Sequence, residues 1–183
     1  MYRLIAVAVI ALSAVAFAED KKPADAKAKP EAPPPPPPEV KKTTEAFLGA
    51  WAGDATLEMG GKTEKFKVKA DCKKIALGNG SHCEMSGKSS MGPMEQSCMT
   101  GYDPETKSVH FMCITSMGEV HDHKCAWSDD KTVTCEQYKG TMGGKAMTED
   151  LTFAWADPKT MTSSSVVTSD DGKMSFSGTM KKK

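Results

Sequence analysis

Arginine is nearly missing from the 183 residues, and Arg3 is the only one. Phosphate and base recognition lean on guanidinium forks and basic patches, so a near-neutral chain that relies on lysine is a poor nucleic-acid binder. A Gly-x-Ser-x-Gly elbow, a phosphate-binding glycine loop and a His-Glu-x-x-His helix are also absent. No carboxylate pair stands out either, and the protein is therefore expected not to be an enzyme. His121-Asp122-His123 suggests a base with an orienting acid, but on a strand Asp122 points away from both histidines. The six cysteines include no Cys-x-x-Cys pair, which weakens both a structural zinc reading and a thiol oxidoreductase reading. No segment after residue 18 is apolar enough to cross a membrane.

What is present begins with a leader. Arg3, the apolar run Leu4 to Val15 and the small-x-small site Ala16-Phe17-Ala18 make residues 1–18 an expected secretory signal peptide. Its removal leaves 23 lysines against 24 acids. Residues 19–42 are rich in Ala, Lys, Glu and Pro, with six consecutive prolines from Pro33 to Pro38, and are expected to be a disordered spacer containing a polyproline II rod. Such a spacer would tether the domain or hold it away from the envelope. The Lys181-Lys182-Lys183 tail is expected to be a solvated end and not a membrane contact.

Residues 43–183 are expected to form one domain. Thr43 to Leu48 begin it with a short helical turn, after which the hydrophobic period switches to two. Trp51, Ala55 and Leu57 alternate with polar neighbours, as do Phe66, Val68, Ala70 and Cys72 with lysines and Asp71. The alternation recurs through Ser81–Gly87, Met94–Tyr102, Val109–Thr115, Val120–Trp127, Thr132–Tyr138, Leu151–Trp155, Met161–Thr168 and Met174–Met180, with Asn79-Gly80 read as a hairpin turn. About ten short antiparallel strands without a long helix predict an all-β fold, an up-and-down β-barrel that removes exposed edges. A two-sheet sandwich is the competing architecture.

The turn at Ser116-Met117-Gly118 decides which side chains share a face. A three-residue loop needs only Gly118 at positive φ; it sets Thr115 opposite Glu119 and turns His121, His123, Cys125 and Trp127 inward with Val109, Phe111 and Cys113. A two-residue loop would instead align His110, His121 and His123 as a three-imidazole site. The three-residue loop is favoured, because it avoids a left-handed Met117.

Loop lengths also order the cysteines. A three-residue loop Asp129-Asp130-Lys131 puts Cys125 opposite Cys135, and a four-residue loop Pro104 to Lys107 puts Cys98 opposite Cys113. Cys72 and Cys83 remain as the third expected bridge. Disulfides suit a periplasmic or extracellular compartment.

Several stretches resemble a known family. Gly49-Ala50-Trp51 is similar to the Gly-x-Trp that opens lipocalin-like (calycin) barrels, and GYDPETK at Gly101 to Lys107, the Ser116 to Gly118 turn and the closing GTMKKK resemble a family of uncharacterised bacterial secreted domains with that barrel. The likeness runs over most of Phe47 to Lys183 and implies a ten-stranded barrel with no agreed activity. Nitrobindins are a more distant likeness; they bind haem through a histidine late in the chain. Here no histidine follows His123, so haem is not carried over and no cofactor is expected.

The expected function is a secreted or periplasmic binding module for a small, largely apolar ligand. Its wall would be Trp51, Leu57, Phe66, Val68, Phe111 and Trp127, together with Leu151, Phe153, Trp155 and Phe176. Glu119, His121 and His123 would orient the ligand. Two alternatives stand beside it: copper or zinc binding by His121 and His123 with a soft thioether such as Met85, and a disulfide-stapled structural envelope protein without ligand.

Overall fold

A computed structural model describes residues 35–183, so the expected signal peptide and most of the expected spacer lie outside the described residues. Its helix, α1, spans Pro38–Phe47 and is longer and earlier than the single turn expected at Thr43. Pro38 sits in the first turn, where a missing N–H costs nothing and its fixed φ suits the helix. Val40, Thr43, Thr44 and Phe47 then fall at helical spacing and are the buried stripe. Proline-rich composition masked that stripe, because the polyproline run ends inside the helix.

Eleven strands follow: β1 Gly49–Met59, β2 Lys62–Ile75, β3 Gly80–Ser89, β4 Gly92–Asp103, β5 Ser108–Thr115, β6 Val120–Trp127, β7 Thr132–Cys135, β8 Tyr138–Met142, β9 Lys145–Asp157, β10 Thr160–Ser169 and β11 Gly172–Lys182. All pairings are antiparallel, and β9 with β10 and β11 with β1 close the sheet on itself. The closed ring has ten strand positions, because β7 and β8 occupy one. Thr134 pairs with Thr152 but Tyr138 pairs with Glu149, so one extra residue enters around Glu136-Gln137. That bulge reverses the inside-outside parity along β8.

Register at the other turns follows loop length. Gly118 takes φ 81° and Thr115 N–H donates to Glu119 O at 3.0 Å, the three-residue arrangement. Cys72–Cys83, Cys98–Cys113 and Cys125–Cys135 are joined across neighbouring strands. The Asn79-Gly80 expectation needs correcting. The reversal is made by Ala76 to Asn79, with Ala76 and Leu77 at positive φ, and Gly80 already pairs with Ile75.

The two ends of the barrel differ. At one end α1 lies across the opening and Phe47, 3% exposed, enters the interior, its ring 5.1 Å from Trp155, 5.4 Å from Phe153 and 6.0 Å from Phe111. All three tryptophans are tied to the helix: Trp51 donates to Phe47 O at 2.8 Å, Trp127 to Thr43 Oγ1 at 3.0 Å and Trp155 to Ala46 O at 3.1 Å. At the other end, among the described residues, only the turns between strands meet, and no helix covers it. No helix among the described residues is long and apolar enough to cross a membrane.

Candidate functional site

Strand alternation fills the interior in layers. On β6 the inward side chains run His121, His123, Cys125 and Trp127 toward the helix, and on β9 they run Met147, Glu149, Leu151, Phe153 and Trp155. The wall expected for a ligand is therefore divided. Trp51, Phe111, Trp127, Phe153 and Trp155 belong to the helix-capped half and are packed against one another and α1. Leu57, Phe66, Val68 and Phe176 lie toward the far end with Glu119, His121 and His123. There Met85, Met94, Met174 and Phe176 are partly buried and pack against the core, and no helix covers them.

A polar cluster interrupts this apolar lining. Glu149 is 8% exposed, and its Oε2 lies 3.0 Å from His121 Nδ1 and 3.4 Å from His123 Nε2, while Ser165 donates to its Oε1 at 2.5 Å. Burial pushes the Glu149 carboxyl up, but hydrogen bonds from His121, His123 and Ser165 outweigh it and hold it well below the usual carboxylate range. The hydrogen bond to Glu149 raises His121 above its ordinary value, against desolvation that lowers it. His121 Nε2 faces Glu119 Oε2 at 3.5 Å. His123 is 3% exposed, and its Nδ1 has no hydrogen-bond partner.

Tyr138 completes the cluster. Its ring stacks on His121 with centroids 5.2 Å apart and planes 18° from parallel, and its hydroxyl donates to Val120 O at 3.0 Å. Gly140 makes that position available, because a Cβ there would come within 2.5 Å of the Tyr138 ring.

Three members were not among the expected site residues. Glu149 was accessible to the alternation rule, since extending the inward series of β9 one step below Leu151 reaches it. Ser165 follows from the same rule on β10, between Met161 and Val167. Tyr138 was not accessible, because an unbroken strand from Thr132 would aim it outward and only the bulge turns it in. Met85 is on β3, three strands from β6, and is not in the group His121, His123 and Glu149 whose donor atoms lie within 4.8 Å of one another. A surface depression of about 520 Å³ lies elsewhere, on the outer Ser/Thr-rich face of β9, β10, β11, β1 and β2, and none of these residues lines it.

Comparison with solved structures places the architecture. The S-type phycobiliprotein lyase CPES from Guillardia theta matches with a TM-score of 0.53 and 12% identity, covering 76% of this chain and 89% of that one. The fold is calycin-type. No protein-family model and no curated protein matches the sequence. The calycin-type likeness also corrects the expectation that the protein is not an enzyme. The same barrel serves a lyase, so missing hydrolase and nucleotide motifs do not exclude catalysis in this architecture. The three disulfides fit an oxidising compartment.

Proposed function

We propose that this protein is a binding barrel of the periplasm or extracellular space, exported by residues 1–18, held off by the part of the proline-rich spacer that precedes α1, residues 19–37, and taking a small, largely apolar molecule at the barrel end away from α1. The observation that carries this reading is the contrast in the interior. One half is closed by Phe47 and three tied tryptophans, while the other, which α1 does not cover, holds partly buried Met85, Met94, Met174 and Phe176 and, on other strands, the His121-Glu149-His123 cluster. Apolar walls with a few convergent polar groups are the usual make-up of a small-molecule site. The likeness to a phycobiliprotein lyase, a barrel of the same fold, agrees with a ligand-handling role. The stretches Gly101 to Lys107, Ser116 to Gly118 and Gly178 to Lys183 support placement in the secreted calycin family named above.

The test is titration of the purified protein with anilinonaphthalene sulfonate, an apolar fluorophore carrying one anionic group. The expected result is saturable one-to-one binding, weakened at least about fivefold by Phe176→Ala and by His121→Ala and unchanged by Trp127→Phe. Absence of saturable binding, or binding sensitive only to the tryptophan change, would refute the proposal.

A further inference from the structure

We infer that His121 Nδ1, His123 Nε2 and Glu149 Oε2 form a site for a divalent first-row metal ion of the zinc type, a reading that does not depend on the small-molecule proposal. Positions i and i+2 on a strand bring two imidazoles to one face, and Glu149 arrives from β9, 26 residues after His123 in the chain. Each of the three residues offers a donor atom within 4.8 Å of the others, and His121 Nδ1 and His123 Nε2 lie 3.0 and 3.4 Å from the same Glu149 oxygen. In tetrahedral zinc sites, bonds of roughly 2.0–2.2 Å set neighbouring donors roughly 3.3–3.5 Å apart. The two nitrogen–oxygen distances already match that spacing, and the remaining separation, at most 4.8 Å, closes by about an ångström of side-chain movement on binding an ion.

Charge points the same way. Glu149 and Glu119 are both turned into this end of the barrel, and among the described residues their ion-pair partners are imidazoles alone, with no lysine reaching either carboxylate. A dication between the two histidines and Glu149 would balance that negative charge. Glu119, 3.5 Å from the remaining nitrogen of His121, then stands where outer carboxylates orient metal-bound histidines.

Donor chemistry narrows the ion. Imidazole nitrogen with a carboxylate suits zinc and its neighbours, whereas soft copper(I) wants thiolate or thioether. All six cysteines are in disulfides, and Met85 is three strands away. Three protein ligands leave a fourth coordination position for water or another small donor, the arrangement of labile zinc sites and not of closed structural ones.

The experiment is calorimetric titration of chelator-stripped protein with zinc chloride, paired with visible absorption on adding cobalt(II), whose d–d bands report the donor set. Wild type should bind one ion, and Glu149→Gln and His123→Ala should each weaken it at least tenfold. Because both positions are deeply buried, His121→Ala, at a side chain 15% exposed, supplies the variant that keeps the barrel intact, with far-UV circular dichroism as the check. His82→Ala and His110→Ala, at outward-facing histidines, should bind like wild type. No binding by wild type, or binding that survives His121→Ala but fails in His82→Ala or His110→Ala, would overturn the inference.

Discussion

The helix-capped end and the far end of this barrel are made from similar residues and do different things with them. Phe47, Phe153, Trp127 and Trp155 form an aromatic plug whose polar atoms are all spoken for by α1, while Phe66 and Phe176, 6.2 Å apart, sit in the half left uncovered by the helix. The turns differ as well. At the capped end the carboxylates of Asp103, Asp129 and Asp157 each accept a backbone N–H two residues on, whereas far-end reversals use Gly60-Gly61, Gly118 and Gly143-Gly144 at positive φ, with neutral hydroxyls of Ser89, Thr115 and Ser169 as the acceptors. A side chain's contribution is thus set by which end of its strand it occupies, and aromatic content alone does not mark a ligand wall.

The largest expected effect breaks the contrast at its base. Phe47→Ala should cost about 3–5 kcal/mol, the range for emptying a packed aromatic site, in urea unfolding monitored by tryptophan fluorescence. Phe176→Ala, at a partly exposed site, should cost less than half as much. Equal losses would mean that the two halves are packed alike. Next comes Cys125→Ser with Cys135→Ser, which opens a bridge between residues ten apart and should remove about 3 kcal/mol by the loop-entropy account, read in the same assay.

Gly140→Ala is smaller and sharper. A methyl group there must displace the Tyr138 ring from His121, and overpacking of this kind costs about 1–3 kcal/mol. The His121 ring-proton shifts should move by loss of the stacked ring current, while the Trp51 indole signal stays in place. The smallest effect is in pH. Hydrogen bonds from the Thr106 hydroxyl and the Glu105 N–H lower the Asp103 carboxyl, and backbone N–H donation from Lys131 and Lys159 does the same for Asp129 and Asp157. A carboxyl lowered by folding adds stability above its unfolded value, near 3.8, and loses it as pH falls through the folded value. Protection of the amides in the Asp103, Asp129 and Asp157 turns, taken as the ratio of the intrinsic to the observed exchange rate at each pH, should therefore fall on acidification below about pH 4, ahead of protection in the glycine turns.

How much of this was legible in the residues depended on whether parity survived. Where loop length alone fixes register, the outcome followed: Gly118 set His121 and His123 inward, and the 129–131 and 104–107 loops matched Cys125 with Cys135 and Cys98 with Cys113. Parity was lost at Glu136-Gln137, where nothing in the residue types announces an extra residue, and Tyr138 went with it. The cap was obscured for another reason. Val40, Thr43, Thr44 and Phe47 carry a helical period, but it starts inside a proline run whose composition argues for a rod. Without that helix, the tryptophans look like ligand wall and not like anchors.

Ligand entry at the far end is the central claim, and the three tryptophan indoles are built-in reporters of the opposite end. The direct measurement is a two-dimensional proton–nitrogen spectrum of the protein titrated with anilinonaphthalene sulfonate. The predicted result is progressive shifts at the amides of Glu119, His121, His123, Glu149 and Phe176, with the Trp51, Trp127 and Trp155 indole signals unmoved. Shifts confined to the indoles, with the His121 to Glu149 region silent, would contradict it.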